Sequence, residues 1–422
     1  MGHIVRTRAG TWRANWRDPT GRQRAKTFST KRDASRFLAE IETTKVRGQY
    51  VDPSGGRVTF GEFARRWERA RVVEATTSAS TRSKLQSRLL PYWGRWLLAK
   101  IDHLAVQEWV NKMASELAPS SVASYHATFS TILSAATRAR IIATNPCDGV
   151  RLPAQRRSDG ASRSVDRAVV VDKLLPAVPK FYRALPATAA CAGLRWGECL
   201  GLRWSDVDLT EHVLTVRRTL VEVRGAVTVK PYPKSQASQR TVPIAPFLLD
   251  ALRAHRELTG ADEDEPVFTG PDGGVLLRGN FRRRVWRPAL VRSGLLGRVV
   301  ALNNGSFLAF WHRQDGTKGS TELPSERAAT EHVVRHAHGG LRFHDLSHCY
   351  ATWLVSSGLP VNVVQKVMGH EQPSTTLNLY THAPTDYYGA IRAALGADAD
   401  FSLTRPGNSN RLTNDSEPVD PG

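Results

Sequence analysis

The sequence predicts a multidomain chain of mixed class. A small ββ(β)α unit comes first, then an all-α unit, then a larger mixed α+β region that carries an inserted hairpin-helix unit. Three observations lead to this reading. At 422 residues the chain can build two or three separate cores. Its apolar pattern alternates near the N-terminus and takes helical spacing between residues 58 and 150. A stretch near residue 300 repeats the first unit.

Residues 1–50 make the first unit. Thr11-Trp12-Arg13-Ala14-Asn15-Trp16-Arg17 alternates as a half-buried strand does, and Asp18-Pro19-Thr20-Gly21 is a turn signal. A second strand ends near Phe28, and Thr30 can cap a helix that starts at Lys31. Trp12, Ala14 and Trp16 share one face, which would pack on the helix; Arg13, Asn15 and Arg17 share the other. A free basic ribbon of this kind suits the DNA major groove.

Residues 58–150 read as all-helical. Thr59, with Glu62 three positions on, forms a capping box ahead of an apolar-periodic stretch. Further helices are expected from about Ser80, Ala105 and Pro119, the last ending before Asn145-Pro146. Arg82, Lys84, Arg88 and Lys112 are candidate phosphate contacts. Residues 151–167 are polar and basic and read as a linker. Residues 168–390 are the mixed helix-strand region. The tail, 396–422, is rich in Asp, Asn, Ser, Pro and Gly and is expected to be disordered.

The insert spans residues 297–340 and aligns with the first unit, ungapped, at a constant offset of 295. Gly10 matches Gly305, Trp12 matches Phe307, Ala14 matches Ala309 and Trp16 matches Trp311. Gly21 matches Gly316, Phe28 matches Leu323 and Ala34 matches Ala329. The apolar face is therefore kept, which predicts the same strand-turn-strand-helix fold. The other face is not kept: Leu308, Phe310 and His312 stand opposite Arg13, Asn15 and Arg17. Asp315, Glu322, Glu326 and Glu331 nearly cancel the basic residues. Such a face suits protein better than phosphate, so the insert is expected to dock on a neighbouring protomer or on its own catalytic region.

The balance of 59 Lys+Arg against 39 Asp+Glu gives a net charge of +20, which favours a polyanionic partner. No run approaches the roughly 18 apolar residues that a membrane span needs, so no membrane partner is expected. Cys147, Cys191, Cys199 and Cys349 lack C-x-x-C spacing, which argues against a zinc ribbon or disulfide scaffold and for a reduced cytoplasm.

Four boxes carry the chemistry. Ala192-Gly193-Leu194-Arg195-Trp196-Gly197-Glu198 leads into Cys199-Leu200-Gly201-Leu202-Arg203-Trp204. Lys230-Pro231-Tyr232-Pro233-Lys234-Ser235 precedes Arg240-Thr241-Val242-Pro243. Phe343-His344-Asp345-Leu346-Ser347-His348 opens a third box. The fourth, from Met368-Gly369-His370 to Leu379-Tyr380-Thr381-His382, sets a histidine ten residues ahead of a tyrosine. His344 and His348 stand at i,i+4 with Cys349 and His338 near, but no H-E-x-x-H glutamate accompanies them, so no metal site is expected.

These boxes resemble the tyrosine recombinases (phage integrases), which cut and rejoin DNA through a covalent phosphotyrosine without metal, cofactor or external energy. The resemblance covers roughly residues 1 to 390. It implies an arm-type DNA-binding unit at 1–50, a helical core-binding domain at 58–150 and a catalytic domain at 168–390. It implies that Arg195 clamps the scissile phosphate, with Glu198 supporting it, and that Lys234 is the general acid, with Lys230 as competitor. His344 would be proton acceptor or phosphate ligand, His370 would donate to a non-bridging oxygen, and Tyr380 would be the nucleophile. Double-stranded DNA at attachment sites, a homo-tetramer on that DNA, and a DNA-bending protein or excisionase are the implied partners, with the protein on the nucleoid.

Ser347 departs from the family, which has arginine there. Losing one preorganised charge donor to a phosphoryl transition state should cost roughly 10² to 10⁵ in rate. Binding should survive on Arg195, His344, His370 and the basic surface. The alternative to a working recombinase is thus a catalytically inactive DNA-binding protein of integrase descent. An ordinary transcription regulator leaves the spaced Arg, Lys, His, His and Tyr unexplained.

Overall fold

Alternation in Trp12–Arg17 produces the central strand of a three-stranded antiparallel sheet, β1 (His3–Arg6), β2 (Trp12–Arg17) and β3 (Gln23–Phe28), in the order β1-β2-β3. The computed structural model describes residues 2–19, 21–46, 57–154, 165–223, 225–230 and 239–369. Helix α1 (Lys31–Val46) lies on the sheet, and its first turn is fixed where the Asp33 amide donates to Thr30 Oγ1 at 3.1 Å. Ala14 and Trp16 are buried beneath it, with the Phe37 ring edge-on to Trp16 at 5.3 Å. Arg13 and Arg17 stay exposed on the opposite face.

The helical unit starts with α2 (Phe60–Ala70). The Glu62 amide donates to Thr59 Oγ1 at 3.2 Å, and the Thr59 amide donates back to the Glu62 carboxylate at 2.9 Å. Helix α3 (Ala75–Lys84) begins five residues ahead of the expected start at Ser80, and runs through a π turn, Leu85–Leu89, into α4 (Leu90–Trp93). Helix α5 (His103–Glu116) starts at His103 rather than Ala105, because Asp102 Oδ1 accepts the Ala105 amide at 2.8 Å. Helix α6 (Pro119–Arg138) stops well short of Asn145: Arg140 turns left-handed, and the Asn145 amide group donates back to Ser130 and Ser134. The core is aromatic, with Trp93 stacked on Phe129 at 5.0 Å and Trp109 against both.

The mixed region contains α7 (Leu175–Ala177), α8 (Ala184–Cys191) and α9 (Trp196–Gly201), then strands β4 (Val207–Asp208) and β5 (Val213–Val216). A hairpin of β6 (Thr219–Val223) and β7 (Ala226–Lys230) follows, and β8 (Arg240–Pro243) closes a second antiparallel sheet in the order β4-β5-β8. Next come α10 (Pro246–Thr259), α11 (Arg278–Phe281) and α12 (Arg287–Arg292). Half of helix α8 is alanine and all of it but Cys191 is buried, which lets α10 and α14 (Phe343–Ser356) approach it closely. Before α14 lies the insert, with strands β9 (Arg298–Ala301), β10 (Phe307–His312) and β11 (Lys318–Leu323) and helix α13 (Glu326–His336). The last described element is α15 (Val361–Met368).

The insert reproduces the first unit element for element. Each strand, and the start of the helix, is displaced by the same 295 residues. The registers match: His3 pairs with Asn15 as Arg298 pairs with Phe310, and Trp12 with Phe28 as Phe307 with Leu323. Both turns keep their left-handed glycines, Gly10 with Gly305 and Gly21 with Gly316. Ala309 and Trp311 are buried as Ala14 and Trp16 are, while His332 takes the place of Phe37 and lies 4.7 Å from the Trp311 ring.

The first unit has its own small core around Trp16 and Ile41, whereas the insert shares one with the catalytic region. The insert packs there through α13, which lies on α12. Within the chain this contact is made by the helix, and on the outer sheet face Leu308 is half-buried and Phe310 remains 39% exposed. Alternation identifies two faces but cannot say which of them meets the neighbouring body. The joint is held by Arg287, itself buried, whose guanidinium donates to the carbonyls of Val334 (3.0 Å), Ala337 (2.7 Å) and Gly339 (3.3 Å).

Arg287→Met should leave those carbonyls without a donor and destabilise the catalytic region by about 2–4 kcal/mol. Urea denaturation should show a lower midpoint. Hydrogen exchange should rise in residues 326–336 and not in residues 31–46; an equal rise in both helices would refute the assignment.

Candidate active site

The geometry of the first box is set by a glycine. Gly193 has φ +67°, and a Cβ there would lie 2.5 Å from the Tyr350 ring and 2.9 Å from Met368 Sδ. The turn therefore presses against α14 and α15 and delivers Arg195 to the start of α9. Gly197 allows a second close approach, since a Cβ there would meet the Leu220 carbonyl of β6 at 2.4 Å.

Glu198, 5% exposed, anchors the site. Its carboxylate accepts the Arg195 amide at 2.9 Å and Arg195 Nη1 at 2.9 Å, and from β8 it accepts Arg240 Nη2 at 2.9 Å. Burial alone would push this carboxyl up. Arg240, then Arg195, outweigh burial and hold it below the ordinary glutamate value. Among the described residues nothing occupies Nε or Nη2 of Arg195, so one edge of the guanidinium is free to meet an anion. Arg240 was not singled out in the sequence as a site residue. The only available signal was its place in the Arg-Thr-Val-Pro strand.

His344 and His348 share one face of α14, with ring centroids 4.8 Å apart. His344 is exposed on one side, yet desolvation by its packed surroundings, then His348 and Arg195, lower its pKa; burial does the same to His348. Both rings are thus biased towards the neutral form at pH 7, in which one nitrogen can accept a proton. Ser347 is buried at 2% exposure, and its hydroxyl donates to the His344 carbonyl at 2.8 Å. It turns into its own helix and presents nothing to the site. Arg342, just ahead of α14, is held by Asp345, with Nε to Oδ1 at 2.9 Å and Nη2 to Oδ1 at 2.7 Å.

Lys234, His370 and Tyr380 lie outside the described residues, as do residues 155–164 of the linker and the tail 396–422. Lys230, the competitor for the acid role, is ion-paired with Glu74 of the helical unit. Tyr350 is near the site but buried, and its phenol is pushed up to about 12 by burial, then by Cys191, which makes it a poor nucleophile.

The candidate DNA contacts differ in their pairing. Arg17 Nη1 donates to the Gly21 carbonyl at 3.1 Å, and the Asn15 side chain lies 3.4 Å from His3. Arg82 is paired with Glu68 and Arg88 with Glu116, both at 2.6 Å, and Lys84 reaches Thr128 Oγ1 at 3.4 Å. Individual charges gave no hint of a cleft of about 1110 Å³ between α11–α12 and α13. Arg282, Arg283, Arg284, Arg292, Arg327 and Arg335 line it, with Glu326 and Glu331. The four cysteines are free, and among the described residues no helix is long and apolar enough to cross a membrane.

The profile of the phage integrase family matches residues 170–386, just over half of the chain. The chain belongs to that family. The prophage phiRv2 integrase of Mycobacterium tuberculosis is 31% identical over 269 residues, 60% of this chain and 68% of the relative. Among solved structures, the Tn1549 transposon integrase in complex with transposon right end DNA is similar with a TM-score of 0.57 at 18% identity, covering 80% of this chain and all of that one. A lambda integrase tetramer bound to a Holliday junction is similar with a TM-score of 0.50 at 17% identity, covering 89% and 94%. At these identities the two structures speak for the fold: a multidomain integrase with a mixed α/β catalytic domain.

Glu198→Gln should leave Arg240 buried beside a neutral amide and destabilise the fold by about 3–5 kcal/mol at pH 7. The folded carboxyl titrates below its unfolded value. Its contribution is therefore fully present above roughly pH 4.5 and is lost as pH falls through the folded pKa. Denaturation from pH 7 to 3 should show a gap between parent and variant that closes in acid; a gap independent of pH would refute the pairing.

Proposed function

We propose that the chain is a site-specific DNA recombinase acting through a 3′-phosphotyrosyl intermediate. The supporting observation is the free edge of Arg195, anchored by Glu198 and Arg240, beside two histidines held towards the neutral form. In this reading the Tyr380 oxygen attacks the scissile phosphorus and its phenolic proton passes to His344. Arg195 and His370 hold the non-bridging oxygens. The P–O5′ bond breaks with Lys234 protonating the leaving oxygen, which leaves a free 5′-hydroxyl. Attack of a partner strand's 5′-hydroxyl on the phosphotyrosine reseals the backbone, so no external energy is consumed.

The same reading assigns residues 1–50 to arm-type DNA, through Arg13, Asn15 and Arg17, and residues 58–150 to the core site. Arg82, Lys84 and Arg88 are the proposed contacts there. Four protomers would assemble on attachment-site DNA, as the lambda integrase tetramer does on a Holliday junction. A DNA-bending protein or excisionase would set the direction.

A second reading, a DNA-binding protein without catalysis, is favoured by one observation: Ser347 is buried with its hydroxyl on a backbone carbonyl. Covalent capture on a nicked suicide duplex carrying the cognate site separates the two. The recombinase reading expects capture that Tyr380→Phe abolishes and Ser347→Arg accelerates, by roughly 10² to 10⁵ if the second charge is wholly absent in the parent. Capture by Ser347→Arg alone makes the natural chain a binder.

Replacing Arg13 and Arg17 together by alanine should reduce the slope of log K against log salt on arm-type DNA by about 2, at roughly 0.9 per phosphate contact. Core-site binding should keep its slope. An unchanged slope on arm DNA would remove the sheet from the interface.

A further inference from the structure

Arg195 and Arg342 are built into the fold in the same way. Each directly precedes a helix, and each is held by a buried acid three residues on, which accepts both the arginine's own amide and its guanidinium. For Arg195 these are Glu198 Oε2 and Oε1, both at 2.9 Å. For Arg342 they are Asp345 Oδ2 at 2.8 Å and Oδ1 at 2.9 Å. The two helix starts are brought side by side: Trp196 and Phe343, each the residue after its arginine, pack edge-to-face with centroids 5.0 Å apart. His344 and His348 follow on the same helix as Arg342.

We propose that Arg342 is the second guanidinium of the phosphate site, serving from the start of α14 the role that the family pattern gives to the position of Ser347. The inference rests on the recombinase reading above. A phosphoryl transition state spreads negative charge over two non-bridging oxygens, and a donor on each side stabilises it better than two donors on one. Ser347 offers no donor, because its hydroxyl is already bonded to His344. Arg342 has the length and the charge, and its side chain is 65% exposed. Asp345 engages Nε and Nη2, and Nη1 has no partner among the described residues. Asp345 plays the part that Glu198 plays for Arg195, fixing the plane of the fork so that little side-chain entropy is lost on meeting an anion.

The two clamps differ in net charge. Glu198 is shared between Arg195 and Arg240, so that cluster carries one excess positive charge, whereas the Arg342–Asp345 pair is formally neutral. Arg342 therefore replaces the missing group in part, and the two positions should behave non-additively.

The test is the rate of covalent capture by the full-length chain on a nicked suicide duplex. The variants are parent, Arg342→Ala, Arg342→Lys, Ser347→Arg, Ser347→Arg with Arg342→Ala, and Tyr380→Phe. The parent should capture DNA, Arg342→Ala should lose about 10² to 10³ in rate, and Arg342→Lys should fall between them. With Ser347→Arg present, Arg342→Ala should cost less than about tenfold, a result that also shows the fold survives loss of Arg342. Capture by Arg342→Ala at the parent rate would overturn the inference. A silent parent alongside an active Ser347→Arg would also overturn it and would make the natural chain a binder, whereas the preceding outcome leaves the recombinase reading in place. Silence in both would remove the recombinase reading and this inference with it.

Discussion

The buried carboxylate of Glu198 is the constraint on which the site depends. A carboxylate this far from water must be paired, and its partners come from two places: Arg195 three residues before it and Arg240 on a strand 42 residues later. Satisfying both fixes the start of α9 against β8, and with it the direction in which Arg195 points. Gly193 and Gly197 then become necessary, because the turn and helix can reach this position only by pressing against Tyr350, Met368 and the backbone of β6. The arginine is thus held by Glu198 through its amide and Nη1, while its Nε and Nη2 have no partner among the described residues. That is the preorganisation a phosphoryl transition state requires.

Much of this was legible in the sequence where the interaction was local. The Thr59–Glu62 box, the Thr30 cap and the alternation of Trp12–Arg17 act within a few residues, and their outcome follows from spacing alone. The repeat was legible because an ungapped offset preserves register, and register decides which side chains are buried. What the sequence withheld was non-local. Arg240 meets Glu198 across 42 residues, with the hairpin β6–β7 between them in the chain. Helix α6 stops at Arg138 because Asn145 bonds back across the turn. The position of Ser347 was visible, but not that its hydroxyl would turn inward to a carbonyl.

The change at position 347 is absorbed by the fold without visible cost. A serine in the second turn of a helix can return its hydroxyl to the carbonyl three residues back, and this one does. Helix α14 is fixed by other means: the Asp345 cap, the Phe343 ring among Trp196, Phe281 and Trp286, and the Trp286 indole donating to the Leu341 carbonyl. Stability and chemistry are therefore separable here. The contacts that hold the helix in place do not involve the side chain at 347.

The duplicated unit makes the same point at larger scale. Both copies bury the same inner face, Ala14 and Trp16 in one and Ala309 and Trp311 in the other, because that face alone determines whether sheet and helix hold together. The outer surfaces are under no such demand and have diverged. In the first copy the basic sheet face is open and α1 serves only to cover the core. In the second the central strand has Leu308 and His312 where the first has Arg13 and Arg17, and the helix makes the contact with the neighbouring body. It packs on α12 as well as on its own sheet, and it forms one wall of the arginine-lined cleft. That change of face requires a firm joint, since α13 cannot act as a wall unless it is fixed relative to α12. Arg287 supplies it through three backbone carbonyls at the end of α13. Carbonyls are the right partners for a charge in that place. They carry their own partial negative charge, so the guanidinium is satisfied without adding a further carboxylate to the Glu326 and Glu331 that already line the cleft.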